Sequence, residues 1–287
     1  MAEICIKNIY SGKPDAKDEI EFEGIDDFVN SYFIPDSFDI DSLLYGSNCF
    51  ITGYKGTGKT ALLYYLEYLI KSEAPHACTS FIFFKDEFTE TKKQQYTGFS
   101  QRIISSITFG TDPLLDTTDF EYIWRWLFFK RIVSDNEDYC ENLFENDESW
   151  QKFKSIVDKI QAPTDRKKNV ILPKIKLAVP LKDPMSQTEV APELEVDFSN
   201  TQNSYSYTEF ISLLDEAEKQ IPNLRRTETP YYIFVDELEA YYGDADIFKR
   251  DLCFIRDLLF SVKRLNGILC KLNNKTKIVC SARVEII

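Results

Sequence analysis

The sequence predicts an α/β fold, a parallel sheet with helices on both faces. Three observations carry this. Four short apolar runs have the length of buried strands: residues 48–52 (NCFIT), 79–84 (TSFIFF), 231–235 (YYIFV) and 277–280 (KIVC). Segments between them carry apolar residues at helical spacing. The first run stops at a glycine-rich octapeptide that leads straight into a helical pattern.

Taken in order, residues 59–71 are apolar at Leu62, Leu63, Leu66, Leu69 and Ile70, a helical period. Residues 120–133 (FEYIWRWLFFKRIV) are apolar on nearly every face, so this helix belongs in the core. Residues 169–198 hold two proline-bearing β-like runs around a polar stretch at 182–187, the pattern of an exposed hairpin. Residues 207–221 form an amphipathic helix. Residues 247–265 place Phe248, Leu252, Ile255, Leu259 and Val262 on one helix face.

Composition narrows the function. The chain has 287 residues, enough for one large α/β domain or two small ones. Its 22 Phe, 16 Tyr and 3 Trp support a substantial core. A net charge of −13 argues against a protein that sheathes nucleic acid non-specifically. The single histidine, His76, excludes His-clustered zinc and argues against serine-triad chemistry. The seven cysteines form no CxxC pair and read as reduced, mostly buried thiols. The N-terminus lacks a basic-then-apolar signal pattern, and no apolar run approaches the ~18 residues of a membrane span. A soluble, cytoplasmic protein without a membrane partner is expected. Charge runs at 15–41 and 135–148 (acidic) and 258–284 (basic) read as solvated faces.

The octapeptide Gly53-Tyr54-Lys55-Gly56-Thr57-Gly58-Lys59-Thr60 matches G-x-x-x-x-G-K-[ST] in full. Glycines let backbone N–H groups turn inward onto phosphate oxygens. The following helix adds the positive end of its dipole, and Ala61 lies in its first turn. Lys59 can reach the β and γ phosphates, and the Thr60 hydroxyl can ligate Mg²⁺. Average residue usage makes a chance match about one in a hundred. The expected fold is therefore a three-layer P-loop NTPase with a helical and β-hairpin insertion.

Such a loop needs a carboxylate on a nearby strand. Residues 231–237 (YYIFVDE) supply Asp236 for the metal side and Glu237 to polarise an attacking water. The 277–280 strand ends in Ser281-Ala282-Arg283, where Ser281 and Arg283 could sense the γ phosphate. Arg250, Arg256 and Arg264 are candidate arginine fingers. The base is expected to be adenine, because no x-x-Gly follows Asp236 and no guanine-reading Asn-Lys-x-Asp is present.

The P-loop, the VDE strand end and the polar-Arg strand together resemble the additional-strand, catalytic-glutamate branch of P-loop ATPases, which includes AAA+ and STAND proteins. Residues 8–16, 32–35 (YFIP), FITGYKGTGKTALL, DELEAYY, RDLLFSVKRLN and KIVCSARVEI are more narrowly similar to a poorly characterised family of bacterial P-loop ATPases. Its members are often encoded near mobile or antiphage defence genes. The resemblance implies that Gly53 to Thr60 bind the triphosphate. It implies that Asp236 and Glu237 form the Walker B pair and that Ser281 and Arg283 occupy the sensor position.

One domain over 1–287 is expected: an N-terminal segment 1–45, an NTPase core of 46–86 and 207–287, and an insertion 87–206. The insertion accounts for the 176 residues between Thr60 and Asp236. The chain stops four residues after Arg283, with Val284, Ile286 and Ile287 apolar, so a truncated or partner-completed product is expected. The leading functional expectation is a Mg²⁺-dependent ATPase acting as a regulatory switch or an oligomerising, motor-like module. Its partners would be ATP and a second copy or an effector protein; nucleic acid stays open. A P-loop small-molecule kinase and a non-catalytic assembly protein are the alternatives.

Overall fold

The computed structural model describes residues 13, 16–34, 38–107, 119–139, 142–160, 207–273 and 275–286. The hairpin expected over 169–198 lies outside the described residues, as do Cys5, Cys140 and Ile287. In chain order the elements are α1 (Ala16–Glu23), α2 (Ile25–Ser31), α3 (Ile40–Leu44), β1 (Phe50–Gly53), α4 (Lys59–Glu73), β2 (Cys78–Phe83) and α5 (Phe84–Glu87). They continue with α6 (Glu90–Ile107), α7 (Glu121–Asp138), α8 (Glu148–Lys159), α9 (Tyr207–Gln220), β3 (Tyr231–Leu238), α10 (Ala245–Leu269) and β4 (Thr276–Arg283).

Among the described residues the four strands make one wholly parallel sheet in the order β1-β4-β3-β2. Both faces are covered, as the continuous apolar runs require. On one face Leu62, Leu63, Leu66 and Ile70 of α4, with Leu43 and Leu44 of α3, pack on Ile51, Phe81, Tyr232, Phe234 and Val279. On the other, α7 and α10 pack on Tyr231, Ile233, Val235, Ile278 and Cys280. The strand residues therefore alternate between two cores with the period of two that a pleated strand imposes. Trp124 of α7 joins the second core to α10, its Nε1 donating to the Phe254 carbonyl at 2.9 Å. The described part of the 87–206 segment is helical, and α7 lies directly in this second layer. No helix among the described residues is long and apolar enough to cross a membrane. Cys49, Cys78 and Cys280 are buried, Cys253 half-buried and Cys270 exposed, all as free thiols.

Several expected solvated charges are buried instead. Asp135, in the acidic run, is 3% exposed. Its carboxylate lies 2.8 Å from Arg131 Nε and accepts from Ser80 Oγ (2.9 Å) and the Tyr231 hydroxyl (2.7 Å). Lys277, in the basic run, is buried and donates to the carbonyls of Ser42 (3.2 Å), Leu43 (2.6 Å) and Gly46 (2.8 Å). It thereby fixes the turn that feeds β1. Charge counting missed both because the uncharged groups that complete each site, Ser80 and Tyr231 for Asp135 and the three carbonyls for Lys277, are distant in sequence. On α10 the buried face is rotated from the expected one. Phe254, Ile255, Leu258, Val262 and Leu265 are buried, while Phe248, Leu252 and Leu259 are only partly so. Two carboxylates, Asp251 and Asp257, share the buried face. Asp251 pairs with Lys93 (3.0 Å) and Asp257 accepts from the Phe120 N–H (2.8 Å), which offsets their desolvation.

Asp135→Asn leaves the Arg131 charge buried without its counter-charge. We expect a loss of about 3 kcal/mol in urea unfolding, the scale for breaking a buried pair. A loss below about 1 kcal/mol, typical of exposed pairs, contradicts this account of the core.

Candidate functional site

All four strands are parallel, so their carboxyl ends lie on one edge of the sheet. That edge is where open α/β sheets hold ligands. β1 ends at Gly53 and is paired in register with Arg283 at the end of β4. β3 ends beside β4 with Asp236, Glu237 and Leu238.

The loop from β1 to α4 turns left-handed at Gly56 (φ 79°) and Gly58 (φ 78°), where a side chain strains the backbone. At Gly53 the constraint is space, since a Cβ there would stand 2.6 Å from Thr57 Oγ1. Thr57 Oγ1 donates to the Tyr54 carbonyl at 2.9 Å. Lys59 Nζ folds back over the loop and donates to the carbonyls of Gly53 (3.0 Å) and Tyr54 (2.7 Å). Burial first, then the neighbouring Arg283 charge, draws the Lys59 ammonium below its ordinary pKa; Asp236, Glu285 and Glu239 pull the other way. α4 has no acid in its first turn. No side chain within that turn answers the positive end of its dipole.

A cavity of about 670 Å³ opens at this edge. Lys55, Gly56, Gly58, Lys59, Thr60 and Ala61 line it from the loop side, and Asp236, Glu237, Ser281 and Arg283 from the strand ends. The expected site residues thus converge, although 176 positions separate Thr60 from Asp236. Gly53, Tyr54 and Thr57 are not in the lining; Tyr54 is 64% exposed and turned outward. Its volume falls within the usual range of small-molecule pockets, roughly 300–1,000 Å³.

Asp236 is 2% exposed, and its Oδ1 accepts from Ser281 Oγ. Its Oδ2 is buried and has no hydrogen-bond partner among the described residues. No group of three or more His, Cys, Asp or Glu with metal-binding geometry occurs among the described residues. Mg²⁺ does not need one, because it keeps several waters and takes one or two protein ligands beside phosphate oxygens. The Asp236 carboxylate and the Thr60 hydroxyl in the same cavity suit that mode. Glu237 interrupts the β3–β4 register and has φ 58°, a left-handed conformation that is uncommon for a non-glycine residue.

Other lining residues were given no site role in the sequence. Glu239 pairs with Arg283, whose guanidinium Nη2 bonds Glu239 Oε1. Lys85, just after β2, faces the same space. The acidic N-terminal segment supplies Glu19, Phe28, Ser31, Tyr32 and Phe33 to the wall. Phe33 is 80% exposed, while Tyr32 stacks on Phe28 (5.4 Å between centroids). The aromatic pair at 32–33 amid carboxylates was the available signal. The three finger candidates are held within the chain: Arg250 by Glu90 (2.8 Å) and Asp251, Arg256 by Asp257 (2.7 Å), Arg264 by Glu121 (2.8 Å) and Glu218 (2.7 Å).

Comparison with known proteins found no matching family model, no matching curated protein and no matching solved structure.

Glu237→Gly relieves the left-handed strain. We expect a gain of about 0.5–1 kcal/mol in thermal or urea unfolding, the left-handed penalty less glycine's added chain entropy. A clear loss of stability shows instead that Glu237 is held for its packing.

Proposed function

We propose that the chain is a Mg²⁺-dependent, ATP-binding and ATP-hydrolysing module with the P-loop NTPase fold, acting as a nucleotide-driven switch. The observation that carries this reading is the convergence of Lys59, Thr60, Asp236, Glu237, Ser281 and Arg283 on one cavity. The placing of β4 between β1 and β3 supports the additional-strand resemblance.

The division of labour follows from the donors present. The loop N–H groups and the N-terminus of α4 attract phosphate oxygens. Lys59 exchanges two loop carbonyls for the β and γ phosphates, a stronger, charge-assisted pairing. Asp236 and Thr60 would hold Mg²⁺, which when bound neutralises charge between the β and γ oxygens. Ser281 keeps the Asp236 carboxylate in one orientation. Glu237, fixed by its unusual backbone angle, stands as general base for a water attacking the γ phosphorus. Arg283 answers the charge that develops on the γ-phosphoryl group. At the other wall, Tyr32 and Phe33 offer ring faces to a base, adenine on the sequence argument. A switch role suits a site in which Lys59 and Arg283 are engaged within the chain before ligand arrives. The assembled form, a second copy or an effector protein, is the natural recipient of such a signal.

Lys59→Ala should fold normally by circular dichroism and lose about tenfold to a hundredfold in ATP affinity by calorimetry, the scale of one or two charge-assisted bonds. Unchanged affinity refutes the phosphate role of the loop. Glu237→Gln should keep ATP affinity and lose about 10²-fold in hydrolysis, the usual general-base contribution. If binding falls while the rate per bound nucleotide holds, Glu237 is not the base.

A further inference from the structure

Of the cavity carboxylates that the roles above leave unused, Glu19 and Glu239, it is Glu239 that neutralises a cation at the strand ends, Arg283. Arg283 ends β4, in register with Gly53 at the start of the loop. Its guanidinium bonds Glu239 Oε1, with side chains 20% and 36% exposed. Both residues line the cavity with Lys59, Asp236 and Glu237. Glu239 follows directly on β3. The backbone two residues further on is tied down, the Tyr241 N–H donating to buried Asp251 Oδ2 at 3.2 Å. The carboxylate therefore hangs from an anchored segment.

We propose that Glu239 competes with the γ phosphate for Arg283: it occupies the guanidinium until a γ phosphate displaces it, and so tempers the affinity of the site for a nucleoside triphosphate while leaving that for a diphosphate unchanged. This rests on the phosphate-binding reading above. Carboxylate and phosphate compete for the same guanidinium donors, because both are anions with paired oxygens that match the planar fork of the guanidinium. A γ phosphate brings more negative charge than one carboxylate and wins the guanidinium. A diphosphate stops one phosphate short, and the ion pair survives. The pair is partly exposed, so it is weak enough to be exchanged. Breaking the pair costs the longer ligand part of its binding and leaves the shorter one untouched, while Lys59 can meet the β phosphate of either.

The test is calorimetry on the full chain with Mg²⁺, using ADP and a non-hydrolysable ATP analogue. Glu239→Gln keeps the shape and removes the competing charge. It should tighten the analogue by about threefold to tenfold and leave ADP within about twofold, the scale of a partly exposed ion pair. Glu239→Ala should show the same order, and thermal unfolding should show both variants folded. With Arg283→Ala as background, Glu239→Gln should no longer favour the analogue. Equal tightening of both nucleotides overturns the proposal, since it reports only a lifted repulsion. Weaker analogue binding by Glu239→Gln also overturns it, because Glu239 then orients Arg283 for the ligand. Wild-type protein that binds neither nucleotide overturns the phosphate-site reading itself and this proposal with it.

Discussion

The arrangement depends on β4 lying parallel between β1 and β3. Parallel neighbours cannot be joined by a tight turn, so each connection crosses over and returns to the same end of the sheet. The carboxyl ends of all four strands then share one edge. Register completes the placement: Gly53 stands beside Arg283, and Val235 beside Cys280. Two packed cores, one per face, hold that register. A slip of one residue would turn Tyr231, Ile233 and Val235 into the wrong core.

On this frame the chain satisfies its own site. Lys59 rests on two carbonyls of its loop, Ser281 on Asp236, and Arg283 on Glu239. Each is a bond that an oxyanion or a metal could take over. Features that carry a stability cost remain beside them. Glu237 sits in a left-handed conformation, and the first turn of α4 has no acid to answer its dipole. Local strain and unanswered charge of this kind concentrate where a protein works. Elsewhere the same chemistry is closed off. Arg131 and Asp135, and Lys277 with its three carbonyls, are buried with their partners and serve the core.

Local signals made part of this legible. The run of glycines with Lys59 and Thr60 declares itself within eight residues. The helix over 120–133 was readable as core because it has no polar face wide enough for solvent. Other residues gave a weak local sign or none. Glu239 sits in a run of acids, and only its contact with Arg283, 44 positions away, distinguishes it. Tyr32 and Phe33 belong to a segment that reads as solvated by charge count, yet they wall the cavity. On α10 the apolar residues nearly encircle the helix. Its true buried face was therefore chosen by what α7 and the sheet offered, with Asp251 and Asp257 accepted where partners stood ready.

By itself the sequence determined the α/β class, the four strands, the glycine-rich loop with its helix, and the candidacy of Asp236, Glu237, Ser281 and Arg283. These follow from backbone periodicity, apolar runs and the stereochemistry of glycine, which act over a few residues. Tertiary structure alone decided the strand order, the partners of the buried charges, the N-terminal wall of the cavity and the Arg283–Glu239 pair. The reason is physical: burial and ion pairing depend on distance in space, and a folded chain sets that distance through packing between elements far apart in sequence.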